Sequence, residues 1–334
     1  MSLRLGIIGI DHGHIFGMLT HMMAQGCTCD AFWTEGSAVT EPKFRKAFPT
    51  VDKVTDRRQI LEDPKIDLIL ISSVPADRAG FAIEAMQAGK DVMVDKPGCT
   101  TIEQLNALRE TQSQTGRIWS VNFSERFQVP AVTKAEELVF GGAIGRVIQT
   151  IGIGPHKQNL KTRPDWFFKR QRYGGILCDI GSHQIHQFLH FTGSNNADIA
   201  HATVENTTRP EHPEFQDFGE IVLHSDQGHG YIRVDWFTPD GLPTWGDGRL
   251  FIQGTDGQIE LRKYTDIGRP HATDRLFLVN GEENALIDCA DAGLPYFSRL
   301  AADVLDRTET AISQDQTFLA SELAIRAQIK AEAA

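Results

Sequence analysis

The chain has 334 residues, 41% hydrophobic and 23% charged, enough to bury a sizeable core and, by length, to form two domains. Its 33 Lys and Arg against 44 Asp and Glu leave a formal charge of −11, which argues against a nucleic-acid partner, whose phosphates are bound chiefly by cations. The longest strongly apolar runs, such as Ile66 to Ile71, are strand length and far short of a bilayer span, so no membrane segment is expected.

Five scattered cysteines (Cys27, Cys29, Cys99, Cys178, Cys289) and the lack of a charged, then apolar, opening segment predict a cytoplasmic protein with reduced thiols. Cys27 and Cys29 form C-x-C in a predicted strand with no second Cys/His pair nearby, which favours burial over metal binding.

From residue 3 to about 122, short β-branched runs alternate with helical stretches, as in βαβ units around a parallel sheet. The predicted strands are 3–10, 27–34, 53–55, 66–73, 91–96 and 117–122; the predicted helices lie near 14–25, 42–48, 57–61, 78–88 and 101–115. Gly26, Gly89 and Gly116 each close a helix just before a strand. Six strands in this order predict a doubly wound, nucleotide-binding domain over residues 1–122.

The first motif, "GIIGIDHGHIFG", joins the first strand to the first helix, the context a phosphate-binding glycine turn requires. Gly9 stands as its first glycine, but Asp11 and His14 replace the later two, with Gly13 and Gly17 out of register. Asp11, His12 and His14 admit two readings. They are metal ligands, or they are cofactor-loop residues with Asp11 as the helix N-cap. Adjacent Asp11 and His12 would have to converge in a tight turn to share an ion, so the second reading is preferred and no metal site is assigned. Its difficulty is electrostatic: an anion ~5 Å from a pyrophosphate costs ~3 kcal/mol at an effective dielectric near 20. The acid expected at the end of the second strand, where it would accept the ribose hydroxyls, falls at Thr34 or Glu35, Asp30 lying inside the strand. Glu35 would favour NAD over NADP.

The second motif, "DVMVDKPG", sets Asp95, Lys96 and Pro97 at the carboxyl edge of the sheet, where open α/β folds bind ligands.

Past Ser124 the pattern changes. One helix at about 131–140 precedes strands at 146–153, 199–206, 218–225, 230–237, 249–253, 258–262 and 276–279, which predicts a large open antiparallel sheet able to meet another subunit. Helical patterning returns over 296–334 and is expected to pack back on the first domain; residues 123–334 otherwise form the second. Within it lies the third motif, "YGGILCDIGSHQIHQFLHFTG". His183, His186 and His190 share roughly one helix face, and Asp179 precedes His183 by four residues. An acid near an imidazole fixes its tautomer and makes it a general base near neutral pH.

Taken together, the degenerate glycine turn, "DKPG" after the fifth strand and "GGILCDIGSH" opening a helix resemble the glucose-fructose oxidoreductase, inositol dehydrogenase and rhizopine-catabolism (Gfo/Idh/MocA) family over nearly the whole chain. The resemblance implies an α/β protein: an N-terminal Rossmann domain binding NAD or NADP, plus a C-terminal α/β domain whose open, mostly antiparallel sheet serves in homodimers or homotetramers. By position, Lys96 matches the lysine of the family's E-K-P motif, with Asp95 in place of Glu, and Asp179 and His183 match its D-x-G-x-H pair. Family chemistry then implies hydride transfer between nicotinamide and a hydroxyl-bearing carbon of a sugar or cyclic polyol. His183 would take the hydroxyl proton, Lys96 stabilise the oxygen charge, and Asp179 orient substrate or imidazole.

Three departures stand out: the glycine turn, Arg78 where members often have histidine, and His186 where aspartate often follows the catalytic histidine. The last places Asp179, His183 and His186 together as conceivable metal ligands. The expected cofactor contacts are Gly9, Ile10, Asp11, His12, Gly13, Thr34, Glu35, Ser73, Asp95 and Lys96; the expected substrate contacts are Arg126, His156, Arg163, Trp166 and His186. The alternatives carried are NAD-dependent glycoside cleavage through transient oxidation and noncatalytic NAD sensing.

Overall fold

The computed structural model describes residues 2–36, 38–269 and 272–333. The first βαβ series consists of β1 (Arg4–Ile8), α1 (His14–Ala24), β2 (Thr28–Trp33), α2 (Glu41–Ala47), β3 (Asp52–Lys53), α3 (Arg58–Leu61), β4 (Leu68–Ile71), α4 (Arg78–Gln87), β5 (Asp91–Asp95), α5 (Ile102–Thr115) and β6 (Trp119–Asn122). The six strands are all parallel, in the order β3-β2-β1-β4-β5-β6. That is the arrangement of dinucleotide-binding sheets, reversing direction of growth between β1 and β4. Strands β4 and β5 are buried at every residue, because helices cover both faces of such a sheet. Helix α5 starts where its sequence says it should: Thr101 accepts from the Gln104 amide at 3.2 Å, and Gly116 ends it in the left-handed region.

Two short helices, α6 (Ser124–Phe127) and α7 (Pro130–Phe140), precede β7 (Val147–Pro155). After them come α8 (Arg170–Tyr173), a π-helical turn at Leu177–Gly181 that runs directly into α9 (Ser182–Thr192), then β8 (Asp198–Glu205), β9 (Phe218–His224), β10 (His229–Asp235), β11 (Arg249–Gly254), β12 (Gly257–Arg262), β13 (Arg275–Asn280) and β14 (Asn284–Ile287). The chain closes with α10 (Pro295–Asp306) and α11 (Gln314–Glu332). The eight strands form one sheet, β14-β13-β12-β11-β7-β10-β9-β8, antiparallel except for the β7–β10 pair. One face of it carries a core of Leu250, Ile252, Ile259, Leu261, Leu276 and Leu278 with Val132 and Ala135 of α7. The other face is half-exposed, as the alternating burial of β9 and β11 requires.

The chain divides into two compact units. One comprises Met1–Asn122, Thr162–Gly174 and Pro295–Ser321; the other Phe123–Lys161, Gly175–Leu294 and Glu322–Ala334. Inside the first, the Gln314 side chain accepts from the Trp119 amide at 3.1 Å, Tyr296 and Ser120 hydroxyls meet at 2.8 Å, and Trp119 stacks on Phe318. Inside the second, Gly175 is in the left-handed region, and a Cβ there would sit 2.2 Å from the amide of Gln328, which accepts from the Leu177 amide at 3.0 Å. The π-helical turn is thereby held at its start by the last helix.

Candidate functional site

At the carboxyl edge of the parallel sheet, the glycine turn is built by backbone contacts. Gly9 donates to Trp33 O at 2.7 Å, and the His12 amide donates to Ser72 O at 3.0 Å. Gly9 has φ +79°, and a Cβ there would lie 2.4 Å from the Ser73 Cβ, so the first glycine is required on two counts. Helix α1 begins only at His14, with Gly13 at the cap position and no side-chain cap bond from it. The expected N-cap role of Asp11 is thus corrected: the cap position falls at Gly13, and the first helical amides are met within the turn itself, His14 N by His12 Nδ1 at 3.4 Å, Ile15 N by His12 O at 3.4 Å and Phe16 N by Gly13 O at 3.3 Å. Burial raises the Asp11 carboxyl to about 6, the Arg78 charge opposing it. Asp11 stays mostly ionised at neutral pH, but taking up a proton as a pyrophosphate approached would cost it only about 1.4 kcal/mol at pH 7.

The histidines of the turn do not gather on Asp11. His12 Nδ1 lies 2.9 Å from Asp95 Oδ2, and His14 Nδ1 lies 2.7 Å from Asp95 Oδ1. Arg78 Nη2 lies 3.0 Å from the same carboxylate, and the Ser72 hydroxyl reaches it at 3.4 Å. Asp95 is wholly buried; burial alone would raise its pKa, but His14, Arg78 and His12 hold it well below the carboxylate range. His12 is pushed down to about 4 by burial, against the pull of Asp95. Arg78, also wholly buried, donates further to the carbonyls of Ser73, Asp95, Lys96 and Pro97. It therefore fixes the end of β5 and the Lys96–Pro97 peptide, which is cis, with Lys96 itself buried. In this chain Arg78 is a scaffold residue, a role the sequence marked only as a departure.

Other expected cofactor residues follow the ends of β1 and β2. Ile10 is buried, and its carbonyl accepts from the Thr40 hydroxyl. Thr34, one residue past β2, is buried, and its hydroxyl has no hydrogen-bond partner among the described residues. Glu35 lines a cleft of about 760 Å³ with Arg57, Asp77, Phe81, Glu84 and Glu103 among others. Arg57 is ion-paired to Glu84 at 2.7 Å and packed on the Trp33 and Phe81 rings. The glycine cradle at the end of β1 and the orphan Thr34 hydroxyl together fit a dinucleotide.

In the second unit, Asp179 lies in the π-helical turn and His183 in the first turn of α9, both buried. π-Helical turns recur at functional sites because they re-aim side chains that a regular helix would turn away. The His186 Nε2 is taken by Arg126 Nη1 at 3.0 Å, and its ring stacks on Phe123 at 4.3 Å. Burial, then the Arg126 charge, pushes its pKa well down. Arg126 continues to Glu136 at 3.1 Å, and Glu136 to His190 at 3.2 Å. The conceivable Asp179, His183, His186 metal set is not formed; among the described residues, the grouping with metal-ligand spacing is His12, His14 and Asp95. His156 packs between Trp236, edge-on at 5.3 Å, and Trp245, tilted at 4.5 Å. Arg163 lies over the Phe167 ring at 4.2 Å, and Trp166 is half-buried beside it in the first unit.

Sequence reasoning passed over Glu125, next to Arg126. It is buried, with Oε2 accepting from Gln184 at 2.7 Å and Lys263 at 2.8 Å, and Oε1 unmatched. Burial would raise its pKa, but the charges of Lys263, His183 and His156 hold it well below normal. The signal available was the acid in "NFSERF", which by itself distinguishes nothing.

A glycine turn on a 3-2-1-4-5-6 parallel sheet defines a dinucleotide-binding protein with a second, sheet-based domain. Residues 3–123 match the model of the oxidoreductase family with NAD-binding Rossmann fold, and residues 132–260 match that of the GFO/IDH/MocA C-terminal domain. The chain belongs to the Gfo/Idh/MocA family. It is 28% identical over 306 residues to levoglucosan dehydrogenase of Pseudarthrobacter phenanthrenivorans, covering 86% of this chain and 73% of that one. It is 25% identical over 220 residues to an NADP(+)-dependent scyllo-inositol 2-dehydrogenase of Bacillus subtilis, covering 65% of this chain and 60% of that one. The chain matches about 60% of the length of several such curated relatives. A crystal structure from Erwinia carotovora atroseptica shares 44% identity, a TM-score of 0.95 and 99% of both chains. Levoglucosan dehydrogenase in complex with NADH and levoglucosan shares the fold, with a TM-score of 0.81 at 17% identity over 100% of this chain and 98% of that one.

Proposed function

We propose that the protein is an NAD(P)-dependent dehydrogenase acting on a hydroxyl-bearing carbon of a sugar or cyclic polyol, with NAD the preferred cofactor. The observation that carries the reading is Lys96, buried at the end of β5 behind an intact first-glycine turn, in a chain whose second unit holds Asp179 and His183 on one continuous helical path. The nicotinamide, when bound, supplies the hydride acceptor. Gly9, Ile10, Asp11, His12 and Gly13 would carry the phosphates, Thr34 and Glu35 the adenosine ribose, and Ser73 the wall of the turn. Asp95, committed to His12, His14 and Arg78, supports the turn and Lys96 from behind. His183 takes the hydroxyl proton, Lys96 stabilises the oxygen as charge develops, and Asp179 orients them. His156, Arg163 and Trp166 line the substrate side, while Arg126 and His186, bonded to one another, give it shape. Glu35, just past the end of β2 in a cleft whose Arg57 is already paired to Glu84, would repel a 2′-phosphate, which supports NAD.

Assembly as a homodimer or homotetramer through the large sheet is part of the same proposal. It is supported by a cross-strand row, Val222, Tyr231, Ile151, Phe251 and Phe277, interrupted by Glu260, on the half-exposed face. No described helix is long and apolar enough to cross a membrane, and the five cysteines are free and buried, which supports a reducing, cytoplasmic setting. The test is a screen of inositols, aldoses, anhydrosugars and sugar acids with NAD and NADP, followed by nicotinamide absorbance. Reduction of NAD by a polyol is the expected result; failure to bind either NADH or NADPH at millimolar concentration would overturn the reading.

A further inference from the structure

We propose that His12, His14 and Asp95 form a binding site for one divalent transition-metal ion of the zinc or cobalt class. Their three donor atoms lie within 4.8 Å of one another, and the two imidazoles face different oxygens of one carboxylate. The rings meet nearly at right angles, 82°, with centroids 4.4 Å apart, so the two Nδ1 atoms converge from separate directions. Donors of a tetrahedral zinc, bound at about 2.0–2.2 Å, stand roughly 3.3 Å apart. The Nδ1 to oxygen distances of 2.7 and 2.9 Å would open by roughly 0.6 and 0.4 Å to reach it, while donors as far apart as 4.8 Å would close on the ion.

The surroundings meet the other requirements of a metal site. Asp95 is held from behind by Arg78 at 3.0 Å and the Ser72 hydroxyl at 3.4 Å, the outer layer that aims a ligating carboxylate. The histidines are 22% and 29% exposed, which gives an ion a way in, while the carboxylate is fully buried and stationary. Two nitrogens and one oxygen suit zinc, cobalt or nickel rather than magnesium or calcium, which prefer oxygen throughout. Three protein ligands leave a fourth position for water or an oxygen of a bound molecule. The Arg78 charge opposes the ion, so the affinity expected is modest. The inference needs neither cofactor nor substrate, but it shares His12 and Asp95 with the proposed cofactor turn, so the titration is run on protein free of NAD(H) and NADP(H).

The experiment titrates chelator-stripped full-length protein with Co²⁺, following its visible ligand-field bands and bound metal by mass spectrometry, then displaces it with Zn²⁺. One equivalent is expected, with His12→Gln and His14→Gln each weakening it by at least about tenfold and the double variant removing it. Circular dichroism verifies that each variant is folded. Should one not fold, paramagnetic shifts of the His12 and His14 ring protons by Co²⁺ in the unaltered protein serve instead. Equal Co²⁺ binding by the unaltered protein and the double variant, or ring shifts confined to other histidines such as His224 and His229, would overturn the proposal. Loss of NADH binding in the unaltered protein would count against the proposed function and leave this result intact.

Discussion

Asp95 and Glu125 are both buried carboxylates with depressed pKa values, one in each unit, yet they are held in opposite ways. Asp95 is shared by Arg78, His12, His14 and Ser72, two of which are half-exposed. Glu125 leans on one fully buried lysine and one buried glutamine, with an oxygen left over. A carboxylate with several partners survives the loss of one; a carboxylate with a single charged partner does not, because removing that partner strands a charge away from water. The first arrangement can rearrange around a ligand, and the second is a fixed part of the core.

That contrast can be broken or sharpened in four steps. The largest effect lies in the chemistry beside Glu125: His183→Ala should lower turnover by roughly 10²–10⁴-fold while NADH affinity stays near that of the unaltered protein, and equal loss of both would make His183 structural. Next, Lys263→Met should cost about 3–5 kcal/mol in urea unfolding, most of it recovered by adding Glu125→Gln; no recovery would mean the pair is not the reason. His14→Gln should cost less, about 1 kcal/mol, because Arg78, His12 and Ser72 remain on Asp95, and a cost matching Lys263→Met would erase the distinction drawn above.

The smallest change concerns Glu136, whose carboxyl burial would raise but His190 and Arg126 bring down to about 2. Its folded pKa lies below the unfolded value, so its contribution is complete above about 4.5 and fades as pH falls toward 2. Glu136→Gln should therefore cost about 1–2 kcal/mol at pH 7, after allowance for its partial exposure, and almost nothing at pH 2. A cost that is flat with pH would show that the His190–Glu136–Arg126 chain is packing rather than charge.

The periodic features were legible in the sequence because each depends on neighbours along the chain. Strand β4 is a continuous apolar run and β5 an apolar Val-Met-Val between two aspartates, α5 carries its own cap in Thr101, and Gly26, Gly89 and Gly116 take φ of 83°, 80° and 63° at helix ends. Strand β14 was not foreseen: "NALI" is short, and its exposure alternates because it forms the sheet's edge. The third strand fell a residue earlier than expected, at Asp52–Lys53, and has only two residues to mark it. Of the candidate site, the motifs were legible and their partners were not. His14 and Asp95 are 81 positions apart, and Lys263 and Glu125 are 138 apart; nothing local records such pairs.

The degenerate glycine turn bears a different kind of instruction. A methyl group at Gly9 would collide with the Ser73 backbone as well as its Cβ, whereas one at Gly13 would meet no atom within 4 Å. The protein's own architecture forbids change at the first position and is indifferent at the other. Variation across this turn is thus expected to be lopsided: drift at residue 13 is policed only by whatever ligand approaches it, while residue 9 is policed by the folding of the sheet itself.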